Sequence, residues 1–141
     1  MKKLILFLAL FVCFSSSANS QAIYYQWNPV TSPVTNSLNF IYNNGSTYII
    51  AGNDGKLLYR IVPQLNWNIA ATGTTSNLYS IYGSTNLYSA GNSGTVLKST
   101  DNGLNWGSIA FPVTNNINSV SAYVSQMYRI VCCDGGKIYT T

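Results

Sequence analysis

The run Ala90-Gly91-Asn92-Ser93-Gly94-Thr95-Val96-Leu97-Lys98-Ser99-Thr100-Asp101-Asn102-Gly103-Leu104-Asn105-Trp106 decides the fold, because much of it occurs twice. Thirty-nine residues earlier stands Ala51-Gly52-Asn53-Asp54-Gly55-Lys56-Leu57-Leu58, and Leu65-Asn66-Trp67 falls where Leu104-Asn105-Trp106 does. Upstream, Leu38, Ile41 and Tyr42 map onto Leu78, Ile81 and Tyr82 with one more residue of shift. A third copy starts at Ile117 and reaches Cys132-Cys133-Asp134-Gly135-Gly136-Lys137-Ile138-Tyr139, with about three extra residues in its first turn. Trp27 stands eleven residues before Leu38, Trp67 eleven before Leu78, and Trp106 eleven before Ile117. All three tryptophans share one register, the mark of a repeat architecture.

Each copy reads as strands. Leu78-Tyr79-Ser80-Ile81-Tyr82 and Leu87-Tyr88-Ser89-Ala90 flank the turn Gly83-Ser84-Thr85-Asn86. Asn92-Ser93-Gly94 turns the chain into Thr95-Val96-Leu97-Lys98-Ser99, and Asp101-Asn102-Gly103 turns it again into Asn105-Trp106-Gly107-Ser108-Ile109. Tyr, Val, Ile and Thr favour strands, and Asn-Gly-type dipeptides supply the positive φ of tight turns. After the first twenty or so residues no window sustains a 3.6-residue period, so essentially no helix is expected. Four short antiparallel strands at a period near 40 describe a β-propeller blade. The expected fold is all-β, with about three four-stranded antiparallel blades over residues 21–141. The copies lie near 38–67, 78–106 and 117–141, with an outer strand near 24–28.

Strand counting raises the question of closure. The front remnant around Trp27 supplies one strand, two full copies supply eight, and the last copy supplies three, enough for three blades of four. Propellers usually carry four to eight blades. Two readings follow: a partial propeller belonging to a longer chain, or two copies that complete one six-bladed ring by oligomerisation. The first is preferred, since bare blade faces are costly.

Composition narrows the chemistry. The chain has 7 Lys+Arg, 3 Asp+Glu and no His, with 7% of residues charged and 47% hydrophobic. The acids are Asp54, Asp101 and Asp134. Without His there is no His-based acid–base pair or triad, and three scattered Asp leave little for a paired-carboxylate glycosidase. No catalytic residue, cofactor or metal site is expected. Met1-Lys2-Lys3, the apolar run from Leu4 to Phe14 and the small polar stretch that follows read as a secretory signal peptide, residues 1–20, with cleavage after Ser20 or after Ala22. Eleven apolar residues are too few to span a bilayer, which needs about 20. Cleavage removes two of the seven basic residues, so net +4 becomes +2 and no basic face is left for nucleic acid or anionic membrane. Cys13 leaves with the signal. Cys132 and Cys133 would point to opposite faces of a strand, which disfavours a bridge and suits two small apolar fillers.

Ser99-Thr100-Asp101-Asn102-Gly103-Leu104-Asn105-Trp106 resembles the Asp box, S-x-D-x-G-x-T-W, of BNR-repeat propellers. With Ala90 to Lys98 before it, the repeat is most similar to the photosystem II stability/assembly factor family, and more distantly to sialidase- and sortilin-type propellers. Asn105 replaces the usual Thr, and the earlier copy keeps only Trp67. The box residues Ser99, Asp101, Gly103 and Trp106 are read as structural. Asp101 and Ser99 hydrogen-bond turn backbone, Gly103 supplies a positive φ, and Trp106 returns between blades. Asp54 and Asp134 are ordinary turn formers. Eleven Tyr could build a recognition platform, but spacing puts most of them on packed strands. Arg60 and Arg129 are too few for the arginine cluster that sialidases carry. The resemblance implies a secreted or periplasmic, non-enzymatic module for protein binding, scaffolding or assembly, with a glycan-binding or sialidase-like propeller fragment as the alternative. The expected partners are a protein or further blades, with a homodimer and a glycan as alternatives. Neither nucleic acid nor, after cleavage, a membrane is expected.

Overall fold

Alternating apolar residues between tight turns leave each segment one choice: to pair with its sequence neighbour and bury its faces against the next sheet. The computed structural model describes residues 26–122 and 129–141. The expected signal peptide, Cys13 and the longer first turn of the third copy lie outside those residues. The chain divides into residues 1–30 and 31–141.

The described residues of 31–141 carry eleven strands: β1 (Leu38–Asn43), β2 (Thr47–Gly52), β3 (Leu57–Ile61), β4 (Asn68–Ile69), β5 (Leu78–Gly83), β6 (Leu87–Gly91), β7 (Val96–Ser99), β8 (Gly107–Ile109), β9 (Ile117–Ala122), β10 (Arg129–Cys133) and β11 (Lys137–Thr140). They form two four-stranded sheets, β1-β2-β3-β4 and β5-β6-β7-β8, and one three-stranded sheet, β9-β10-β11, all antiparallel between sequence neighbours. Among the described residues, helix is confined to two short 3-10 turns, Asn92–Gly94 and Asp134–Gly136. The sheets stack as blades of a propeller, with β1 against β5 and β5 against β9.

Each first strand carries a bulge at the same place. Pairing skips Asn39 between Leu38 and Phe40, Tyr79 between Leu78 and Ser80, and Asn118 between Ile117 and Ser119. A bulge adds local twist, which a fanned stack of sheets needs.

The fourth strand starts later than its sequence suggests. β8 begins at Gly107, because the amides of Asn105 and Trp106 are engaged elsewhere: Asn105 N–H donates to Asp101 Oδ1 and Trp106 N–H to the Ala71 carbonyl of the preceding blade. Residues 26–28 carry no strand, and the first two residues of the expected outer strand near 24–28 lie outside the described ones.

Two cores fill the spaces between the sheets. Ile49, Ala51 and Leu57 of the first blade meet Leu78, Ile81, Leu87, Leu97 and Trp106 of the second. Tyr88, Ala90 and Val96 on the second blade's other side meet Ile117, Val120, Ala122, Val131 and Cys133 of the third. A blade covered on both faces has no use for charge. At about 25 cal/mol per Å² this burial is the main force holding the stack.

Candidate functional site

Three features could carry function: the Asp101 turn, the joints between blades, and the apolar surfaces that the stack leaves open. In the turn, Ser99 Oγ donates to Asp101 Oδ1 at 2.8 Å and accepts from Gly103 N–H at 2.9 Å. Asp101 Oδ1 also accepts Asn105 N–H at 3.0 Å, and Oδ2 accepts Asn105 Nδ2 at 2.8 Å. Asn105, where the box motif has Thr, thus gives Asp101 a second donor. The Asn105 backbone amide, then the Asn105 and Ser99 side chains, hold the Asp101 carboxyl below its ordinary range against a smaller opposing effect of burial. Both carboxylate oxygens are spent on the turn itself.

Gly103 has φ +87°, and a Cβ there would stand 2.6 Å from Ile49 Cδ1 of the first blade. Only glycine both takes that conformation and lets the turn approach so closely. Trp106 is buried in the core between the first two blades. Trp67 is half-buried, with the Arg60 guanidinium 5.1 Å from its ring and 4.9 Å from that of Tyr48. Trp27 is fully exposed. The three tryptophans share a sequence register but have three different environments.

The joints are a repeated clasp. Asn92 N–H donates to the Asn77 carbonyl of its own blade, while Gly94 N–H donates to the Asn115 carbonyl of the next blade and Ser93 N–H to Asn116 Oδ1. One blade earlier, Asn53 N–H donates to the Ser37 carbonyl, Gly55 N–H to the Ser76 carbonyl and Asp54 N–H to Asn77 Oδ1. A Cβ at Gly94 would lie 2.0 Å from the Val113 carbonyl oxygen, so the clasp closes only on glycine. Asp54 accepts from Asn36 Nδ2 at 2.7 Å, and Asp134 from Asn116 and Asn118, each at 2.9 Å. Those two asparagines hold the Asp134 carboxyl low. All three acids therefore serve turns, each in a different blade.

Asn77 and Asn116 carry the joints and were not singled out from sequence. Their spacing of 39 was the available signal, hidden among many turn asparagines.

The third feature is a cavity of about 280 Å³ between the second and third blades, lined by Tyr88, Val96, Ile109, Phe111, Arg129 and Tyr139. Arg129 stacks 5.1 Å over the Tyr88 ring and its Nη1 reaches the Tyr88 hydroxyl at 3.4 Å. Phe111 meets Tyr139 edge-on at 5.5 Å. The two arginines stand on different blades, each stacked on tyrosine, and do not converge. Cys132 is exposed and Cys133 buried, both as free thiols. Among the described residues no group of three or more His, Cys, Asp or Glu could hold a metal ion.

Comparison with known proteins points to the fold. No family model matches the chain, and no curated protein does. Among solved structures it is similar to YCF48 from Cyanidioschyzon merolae, at 20% identity and a TM-score of 0.68. That likeness covers 79% of this chain and 36% of the other, so the chain spans about a third of that structure's length. It shows an all-β arrangement of propeller blades.

Proposed function

We propose that the chain is an exported, non-enzymatic propeller module that binds protein, as a scaffold or assembly component. One observation carries this reading: apolar sheet faces whose counterparts inside the stack are buried stand open at both sides of it. Ile41 is 59% exposed where its repeat equivalent Ile81 is 1% exposed, and Ile138 is 71% exposed where Leu57 is fully buried. Exposed apolar surface on a sheet face is a feature of protein interaction sites. The likeness of residues 90–106 to photosystem II stability/assembly factor repeats supports the same reading, and we take 99–106 as an Asp box of structural use. The bonding of the three acids within turns and of the two arginines on tyrosines supports a binding role over hydrolysis.

A photo-crosslinking residue at Ile130 or Ile138, with Asn44 as control, tests the binding reading in the exporting cell. Discrete protein adducts at the two sheet positions and none at Asn44 are expected. Equal labelling at all three, or saturable binding on a glycan array, would overturn it in favour of nonspecific contact or a glycan-binding propeller. Export itself is tested by the amino terminus of the released protein, expected at Gln21 or Ile23.

A further inference from the structure

We propose that Asn44 is a site of spontaneous covalent modification. The Gly45 amide closes on its side chain, expels ammonia and leaves an aspartyl or isoaspartyl turn, while the second Asn-Gly step, Asn102-Gly103, is held back by its packing. The step needs no partner and stands apart from the protein-binding reading.

The sequence holds Asn-Gly twice, at 44–45 and at 102–103. Glycine is the neighbour that lets such a ring close, because it puts no side chain in the path of its own nitrogen. The two steps lie against each other. Asn44 Nδ2 donates to Asn102 Oδ1 at 3.4 Å, across the joint between the first two blades and at the end of the sheets away from the clasp. Their surroundings differ. Gly45 is exposed, with φ +97°, and no described atom beyond its chain neighbours lies within 4 Å of where its Cβ would stand. Its nitrogen therefore has room to swing. Its N–H donates to Asn43 Oδ1, a bond at the surface that water replaces at little cost. Gly103 is buried, packed against Ile49 Cδ1 of the first blade, and its N–H donates to Ser99 Oγ at 2.9 Å. That nitrogen must break a buried bond and shift a packed turn before it can attack.

Water is the only co-reactant the chemistry requires. Base in the solvent takes the Gly45 N–H proton, and the nitrogen bonds to Asn44 Cγ. Negative charge passes to Oδ1, which already accepts Ser46 N–H and the Ser46 hydroxyl at 3.2 Å each and Thr47 N–H at 2.9 Å. Donors preset where charge develops lower the barrier to such an addition. The Cγ–Nδ2 bond then breaks, and the amino group takes a proton from solvent and leaves as ammonia. Water opens the cyclic imide that remains. Attack at Cγ gives aspartate; attack at the Asn44 main-chain carbonyl gives isoaspartate, whose backbone runs through Cβ and Cγ. Either product puts a carboxylate where an amide donor met Asn102 Oδ1, so that acceptor faces acceptor across the joint. It also gives a fourth acid to a chain that has 3. The isoaspartyl form adds a main-chain carbon to the turn that sets Asn43 opposite Tyr48.

The test holds the folded chain in warm, mildly alkaline buffer and follows its peptides by mass spectrometry. The peptide with Asn44 is expected to exchange an amide for an acid roughly tenfold faster than the peptide with Asn102, the factor that breaking one buried hydrogen bond imposes. Aspartyl and isoaspartyl products are both expected, eluting separately. In the urea-unfolded chain the two steps should react at similar rates. Gly45→Ala, at an exposed position with open space around it, is expected to slow the change at Asn44 severalfold. Equal rates in the folded chain, faster change at Asn102, or a difference that survives unfolding would overturn the inference. So would an aspartyl product alone or a rate indifferent to Gly45→Ala, since direct hydrolysis forms no ring and yields no isoaspartate.

Discussion

The indole nitrogen of Trp106 donates to the carbonyl oxygen of Gly103, three residues before it, at 2.9 Å. Gly103 in turn donates its N–H to Ser99 Oγ at 2.9 Å, so tryptophan, glycine and serine form one continuous chain of bonds in a buried turn. Replacing Trp106 by Phe keeps a ring but strands the carbonyl, and is expected to cost about 1–3 kcal/mol. Gly103→Ala drives a methyl into Ile49 from a backbone conformation alanine resists, with a similar expected cost of about 1–3 kcal/mol. Urea denaturation of the two variants checks both; a midpoint unchanged in either would mean that the turn does not brace the first two blades.

Acid should loosen the turns. Asp101 and Asp134 both have folded-state pKa values lowered below the unfolded reference of about 3.9. Stability from such groups is fully present above the unfolded value and is lost as pH falls through the folded one. The urea midpoint is therefore expected to stay flat from neutral pH to about 5 and to fall below about 4. Asp101→Asn should be less stable at pH 7 and show a shallower acid decline. An unchanged acid slope in that variant would remove Asp101 as a source.

Ser89 is completely buried, and among the described residues its hydroxyl has no hydrogen-bond partner. An unpaired buried hydroxyl costs free energy that a methyl does not. Ser89→Ala is expected to raise stability by about 1 kcal/mol, read from thermal or urea unfolding. A loss of stability would mean that the hydroxyl finds a bond in solution.

The joint at Asn116 can be probed one amide at a time. Asn116→Ala removes the acceptor for Ser93 N–H and leaves Asp54 N–H on Asn77 untouched. Hydrogen exchange at Ser93 should accelerate while that at Asp54 holds. Equal acceleration at both would point to general loosening instead of a local clasp.

The adjacent cysteines should react unequally. Burial, with the neighbouring Cys132 and Asp134, pushes the Cys133 thiol up, and it faces the second blade, while Cys132 is exposed. In a chain that begins at Gln21, without Cys13, an alkylating reagent under native conditions is expected to add once, at Cys132, and twice only after unfolding. Mass spectrometry of the intact chain and its peptides would reveal double labelling, the result that contradicts this packing.

The blades were legible in the sequence because their signals are local. Strand-forming residues sit between Gly- and Asn-containing turns, and the copying of Ala51–Leu58 into Ala90–Leu97 gives the period directly. The joints were not, because they tie a turn of one blade to the approach segment of the next. The groups that do it are mostly carbonyls, such as those of Ser76 and Asn115, which no side chain advertises. The late start of β8 escapes the sequence for a related reason. The amides of Asn105 and Trp106 bond to Asp101 and Ala71, and only the folded neighbours make that visible. Identical spacing also gave no warning that Trp27, Trp67 and Trp106 would differ in burial, since exposure depends on which blades flank them.

The clasp has a consequence for how such a chain changes over generations. The second blade carries both parts of the joint: donors in the turn between its second and third strands, and acceptors in the approach to its first. A duplicated blade therefore arrives already able to grip the one after it and be gripped by the one before. Lengthening the array by copying about forty residues demands no matched change elsewhere, whereas an insertion between Asn115 and Ile117 would sever a joint. Growth by whole units is tolerated, and the short Asn-rich approaches are where drift in length should be least.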